Sequence, residues 1–227
     1  MRYALYFAPE RDTRLWQFGC RVLGRDAETD EHVPQFVPDG FLPGDWKNAT
    51  VSPRRYGFHA TLKAPFELAG GYSEADLFEA VRGFAARQQP ITGLALQPRV
   101  EGPFVLLALT TEDGHVNELA DACVTEFDAF RAPMQEDERE RRAAGLNGGL
   151  IANLDRWGYP HVFDDFSFHM TLAGPLPADS AAQALRGLTD LYDREARDEA
   201  AEIRSVAVFV EPGPGQPFRL VLRAPFG

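Results

Sequence analysis

Apolar residues fall into two rhythms along this chain. One repeats every three or four positions, as on the buried side of a helix; the other gives short dense or alternating runs, as in strands. Arg2–Pro9 reads as an opening strand, with Tyr3 and Tyr6 on opposite faces. Residues Thr13–Leu23 predict a helix through Leu15, Trp16, Phe18 and Val22, and Gly24–Ser52 predicts a loop rich in Pro and Gly. A strand is expected over Phe58–Leu68. A helix follows over Ser73–Gln88, with Ser73 as N-cap and Leu77, Phe78, Val81 and Phe84 inward. Strands over Leu94–Val100 and Phe104–Thr110 are joined by Glu101-Gly102-Pro103. His115–Phe130 predicts an amphipathic helix, the charged run Gln135–Ala144 a solvated helix face, and Asn147–Val162 a glycine-containing connection. The first order then recurs: a strand over Phe166–Leu176, a helix over Asp179–Glu199 with Leu185, Leu188, Leu191 and Tyr192 inward, and strands over Ile203–Val210 and Phe218–Arg223.

Equivalent elements are offset by about 110 residues throughout, so the chain reads as an internal duplication, with repeats at about 55–112 and 164–225. Strand–helix–strand–strand, taken twice, predicts an α+β fold of two pseudo-symmetric lobes, residues 1–227 forming one bilobal unit.

The repeat is sharpest in one phrase. Phe58-His59-Ala60-Thr61-Leu62-Lys63-Ala64-Pro65 is matched by Phe168-His169-Met170-Thr171-Leu172-Ala173-Gly174-Pro175, with five identities in eight positions. On a strand, residues i and i+2 share a face, so each copy presents an imidazole beside a hydroxyl. A lone His-x-Thr suits a core strand; two copies in matched contexts point to a shared site. One neutral imidazole can take a proton from a nucleophile while one imidazolium gives a proton to a leaving oxygen. Hydroxyl donors suit the charge that grows on oxygen in the transition state. The same periodicity puts Lys63 on the His59/Thr61 face, where its cation would meet a phosphate oxygen. Tyr56, Trp157 and Tyr159 are candidate substrate contacts, with Arg54, Arg55 and Arg156 as a candidate basic rim.

The paired His-x-Thr-Leu phrases resemble the 2H phosphoesterase superfamily, whose two histidines give it its name. The longer phrases Arg55–Phe66 and Arg156-Trp157-Gly158-Tyr159-Pro160, with the opening Arg2–Pro9, are similar to an uncharacterised bacterial branch of it associated with phosphonate-utilisation operons. The resemblance spans nearly the whole chain. It implies antiparallel sheets lining a central cleft, helices outside, and motif strands facing each other. It also implies metal-independent cleavage of phosphodiesters, commonly cyclic ones, without a cofactor. Carried onto this chain, His59 and His169 are the acid–base pair and Thr61 and Thr171 bind phosphate. The branch suggests a ribose cyclic phosphate carrying a further phosphate. An enzyme acting on RNA 2′,3′-cyclic ends and a non-catalytic nucleotide or phosphate sensor are the rival readings.

Composition narrows the partners. The formal charge is −11, with 23 basic residues against 34 acidic ones. Extended nucleic acid is bound chiefly by cations on phosphates, so it is not an expected partner; a small phosphorylated molecule is. Apolar content of 44% fits a folded chain, and no apolar run approaches the length of a membrane span. The charged residues Glu10, Arg11 and Asp12 come too early for a signal peptide. Two isolated cysteines, Cys20 and Cys123, predict no disulfide framework and a reducing, cytoplasmic setting. A monomer is expected. His161 and His169 could begin a metal site, but no cysteine or carboxylate cluster stands at ligand spacing, so none is expected.

Overall fold

The computed structural model describes all 227 residues, Met1–Gly227. Strand β1 (Arg2–Phe7) leads into helix α1 (Arg14–Leu23). The Thr13 hydroxyl accepts from the Trp16 backbone N–H at 3.1 Å to start this helix, and Gly24 ends it in the left-handed region. Helices α2 (Pro43–Ala49) and α3 (Val51–Tyr56) follow, then β2 (Ala60–Phe66), α4 (Glu74–Ala85), β3 (Ile91–Leu94), β4 (Leu96–Glu101) and β5 (Phe104–Leu109). Next come α5 (Gly114–Glu126), α6 (Glu136–Ala143) and α7 (Gly148–Trp157). The chain closes with β6 (His169–Ala173), α8 (Ala178–Glu195), β7 (Ala201–Ile203), β8 (Ser205–Glu211) and β9 (Arg219–Pro225).

The fold is α+β, built on a seven-stranded antiparallel sheet of order β4-β5-β6-β2-β1-β8-β9. The two repeats share its halves. The motif strand of the first repeat, β2, lies through β1 beside β8 and β9 of the second. The motif strand of the second, β6, lies beside β5 and β4 of the first. Helices follow the same exchange: α4 packs on β8 and β9, and α8 on β4 and β5. A two-stranded sheet also crosses the repeats, with Ile91 opposite Ile203 and Leu94 opposite Ala201. Sequence order alone suggests each repeat folding on itself; exchange instead lets each helix bury its apolar stripe on strands supplied by the other copy.

The two halves meet where β2 pairs with β6, at Ala60 opposite Met170. Phe58, Ala60, Leu62, Phe168, Met170 and Leu172 are all buried, whereas His59, Thr61, His169 and Thr171 between them are half-buried. The period-2 alternation therefore puts one row of each motif into the core and the other onto the opposite face.

Two helices, α2 and α7, lie within segments read from sequence as loop or connection. In α7 the Asn147 side chain accepts from the Leu150 N–H at 3.0 Å, and the Gly158 N–H reaches the Leu154 carbonyl at 2.8 Å. Gly158 is thus a helix C-cap, not a loop glycine, while Gly148-Gly149 hides the first turn. Helix α2 starts with Pro43 in its first turn and buries Trp46 completely. The expected helices also stop short: α5 ends at Glu126 before a single 3₁₀ turn at Asp128–Phe130, and α8 ends at Glu195. Helix α6 is solvated as its charges predict, with Arg142 on Glu138 at 2.6 Å. No helix is long and apolar enough to cross a membrane.

Candidate active site

Gly57 sets the first histidine. It follows α3 at φ 83°, ψ 172°, a conformation essentially reserved for glycine. A Cβ built on it would lie 2.5 Å from that of Ala27. This turn aims the Gly57 carbonyl at His59 Nδ1, 2.9 Å away. The second copy repeats the contact, with His169 Nδ1 2.8 Å from the Ser167 carbonyl. A carbonyl only accepts, so both Nδ1 atoms carry hydrogen, and in each neutral ring Nε2 is the basic nitrogen. Thr61 Oγ1 lies 3.3 Å from His59 Nε2. Extending the Ala60–Met170 register by one residue each way sets His59 across from Thr171 and Thr61 across from His169. Both imidazoles and both hydroxyls line one chamber of about 250 Å³.

The two rings differ in their surroundings. Tyr6 of β1, fully buried, stacks on His59 with centroids 3.8 Å apart and 22° between planes. Tyr56 of α3 and Phe209 of β8 each stand 6.1 Å from the same ring. This enclosure disfavours the charged imidazolium. Burial, opposed by the Gly57 carbonyl and reinforced by His169, pushes His59 down to about 4. His169 has no comparable aromatic cover. Tyr6 was not singled out by sequence beyond the point that only one of Tyr3 and Tyr6 can face a cleft.

A larger chamber of about 420 Å³ opens beside the first and shares with it Thr61, Ala64, Phe104, Tyr159, His169 and Thr171. Its other walls include Trp157, Phe163, Phe166 and the carboxylates Glu101, Asp121 and Asp165. Tyr56 lines the smaller chamber, Trp157 the larger, and Tyr159 both. Burial raises the Tyr159 hydroxyl above its ordinary range. Phe104, which opens β5 beside the β4–β5 turn, was missed by sequence because a phenylalanine at the start of a strand carries no chemical signal.

The expected cations are engaged elsewhere. Strand β2 carries an extra residue, Leu62, between the partners of Tyr6 and Leu5, and this bulge breaks the alternation that put Lys63 in line with His59. Lys63 lines the larger chamber, but its Nζ donates to the Val124 carbonyl at 2.9 Å and lies 3.8 Å from Asp128. Burial lowers it to about 8, with Asp128 pulling the other way. Arg54 bonds Leu23 O, Gln35 and Thr50. Arg55 pairs with buried Glu211, and Arg156 stacks 3.9 Å over Trp157 while bonding Asp128 at 2.7 Å. Asp128 also holds Arg131 at 2.9 Å. The basic rim is therefore not a rim: these arginines tie elements together. His161 lines the larger chamber with His169, yet no three His, Cys, Asp or Glu side chains gather at ligand distances. His32 and His115 lie away from both chambers.

Among solved structures, the chain is similar to one described as a phosphoesterase (TM-score 0.39, 12% identity, 99% of this chain and 98% of the other). It is also similar to Usb1 from Kluyveromyces marxianus (TM-score 0.38, 12% identity, with the same coverage). Among curated sequences it is 37% identical, over 99% of its length, to a protein of Janthinobacterium sp. named ribose 1,5-bisphosphate phosphokinase PhnN. It is 36% identical, over 97%, to a protein of the same name from Laribacter hongkongensis. The chain spans about half the length of these relatives, 51% and 50%. A family model described as a protein of unknown function, DUF1045, matches residues 61–219, well over half the chain. The chain belongs to the DUF1045 family.

Proposed function

We propose that this chain is a metal-independent phosphodiesterase of 2H type, which hydrolyses a small cyclic phosphodiester. One observation carries the reading: two imidazoles, each pinned at Nδ1 by the carbonyl two residues before it, line one small chamber with two threonines. Water attacks phosphorus and gives up a proton to one Nε2. The P–O bond to the departing sugar oxygen breaks, and that oxygen takes a proton from the other Nε2. A monoester and a free hydroxyl result, and solvent resets the two rings. Thr61 and Thr171 donate to the phosphoryl oxygens as their charge grows. Lys63 has no part in this, because its ammonium is held by Val124 and Asp128.

The relatives' name supports the finer substrate. Consider a ribose 5-phosphate bearing a cyclic phosphate on its C1 oxygen. Hydrolysis of the other ester bond leaves a ribose 1,5-bisphosphate, the compound that name gives as a kinase substrate. The larger chamber favours a second reading. Its aromatic walls and three carboxylates suit a nucleobase with amino groups better than a second phosphate, so a nucleoside or RNA-end 2′,3′-cyclic phosphate is the alternative.

A phosphorus-NMR screen separates these readings, with a ribose cyclic phosphate with and without a 5-phosphate, 2′,3′-cyclic mononucleotides and a short RNA ending in a cyclic phosphate. Turnover should survive EDTA and fall about 10²–10⁴-fold in His59→Ala and in His169→Ala. Ligand binding without conversion of any of these would replace the enzyme with a sensor.

A further inference from the structure

We infer that the two histidines have fixed and different roles: His59 is the general base, His169 is the general acid, and Tyr6 is the positioning residue that keeps His59 neutral. The inference rests on the phosphodiesterase reading for its chemistry and on the asymmetry of the chamber for its direction. The motifs are nearly identical, so the difference lies outside them. β1 inserts beside β2 and not beside β6, and it brings Tyr6 flat against His59 at 3.8 Å. Tyr56 and Phe209 complete the enclosure. No element places a ring over His169.

The groups facing His59 are Tyr6 from β1, Tyr56 from α3, His169 from β6 and Tyr159 from the segment after α7. None is a carboxylate that would favour an imidazolium, and a protonated His169 opposes a second charge. An enclosed ring with its Nδ1–H already on Gly57 O can serve as acceptor through Nε2 alone, and Thr61 Oγ1 already occupies hydrogen-bonding range of that atom. An anionic diester entering the chamber raises the ring's proton affinity just where water must be deprotonated. Water then loses its proton to His59 Nε2 as the new P–O bond forms, and the departing oxygen receives the proton of His169 Nε2 as the old bond breaks.

Two measurements test this. The first needs no activity: nitrogen-edited NMR titration of the wild-type protein should show His59 staying neutral, with its proton on Nδ1, well below the ordinary histidine range. Titration of His59 near pH 6.5 overturns the inference. In Tyr6→Leu that titration should move up toward 6.5, while Tyr6→Phe, which keeps the stacked ring, should leave it low; no movement in a folded Tyr6→Leu removes Tyr6 from the role. The second uses leaving groups. On a 2′,3′-cyclic mononucleotide both His→Ala variants should lose about 10²–10⁴-fold. On a nucleoside phosphate p-nitrophenyl ester, whose leaving group needs no proton, His169→Ala should recover to within about tenfold of wild type and His59→Ala should not. The reverse pattern overturns the assignment. Full activity of both variants on the cyclic substrate would instead refute the phosphodiesterase reading.

Discussion

Gly57→Ala tests the link between backbone and chemistry most directly. Gly57 sits at φ 83°, ψ 172°, and an added methyl would lie 2.5 Å from the Ala27 Cβ and 3.4 Å from a Phe209 ring atom. The backbone region alone costs a non-glycine residue about 1–3 kcal/mol. Forcing a methyl into a packed contact costs about 1–3 kcal/mol more, since Ala27 and Phe209 are both buried and cannot swing away. The sum, about 2–6 kcal/mol, is a large share of a typical domain's stability of about 5–15 kcal/mol. Relaxation should come by rotating the peptide, which takes the Gly57 carbonyl off His59 Nδ1 and frees the ring to turn. Urea unfolding should show the stability loss, and turnover of the folded variant should fall at least about tenfold. Gly44→Ala is the control: Gly44 is exposed in α2, has no atom within 4 Å of an added methyl, and should gain up to about 1 kcal/mol. A Gly57→Ala protein within about 1 kcal/mol of wild type and fully active would refute the account of how His59 is set.

Other outcomes follow from buried charges. Glu211, 1% exposed, accepts from Arg2 at 2.6 Å, from the Gly215 N–H at 3.0 Å, and from Arg55, which anchors α3. Burial raises its carboxyl, but the two arginines outweigh this and hold it low. A depressed carboxyl stabilises the fold above its ordinary pKa and loses that effect as pH falls through the folded value. Glu211→Gln should therefore cost about 1–3 kcal/mol at neutral pH, discounted for the part-exposed arginines, and the gap to wild type should close below about pH 4.5 in urea melts. Lys63→Met tests the revised place of that lysine. The folded ammonium is lowered to about 8 from 10.5, so wild type gains stability as pH rises between these values. The variant should lack that slope while keeping turnover within a few-fold; a large fall in kcat with unchanged stability would return Lys63 to the phosphate.

What sequence could and could not reveal divides along physical lines. Alternation within each motif is local, so the side-by-side presentation of His59 with Thr61 and of His169 with Thr171 was readable. Lys63 was misplaced because a bulge is a property of the pairing with β1, which one strand's own pattern does not show. Helix α7 was missed because its glycines look like loop residues until Asn147 and Gly158 are seen as its two caps. Tyr6 was out of reach for a different reason. Its strand was recognised, but that β1 lies between β2 and β8 depends on strand order, and strand order depends on contacts more than a hundred residues apart.

That strand order also makes the site inseparable from the duplication. Cutting the chain after residue 112 would leave α4 without β8 and β9, exposing Leu77, Val81 and Phe84, which are fully buried or nearly so. It would leave α8 without β4 and β5, exposing Leu188 and Leu191. Each fragment would also carry only one of the two motif histidines, His59 or His169, and one open strand edge where β2 and β6 now meet. Neither half can bury its own helix, so residues 1–112 and 113–227 expressed apart should show no cooperative unfolding by circular dichroism. Expressed together they should pair, because every surface left open by one is covered by the other, and only the pair should bring two imidazoles to one chamber. A folded, monomeric 113–227 fragment would show that the second repeat closes on itself, and the reasoning from strand exchange to a shared two-histidine chamber would fail with it.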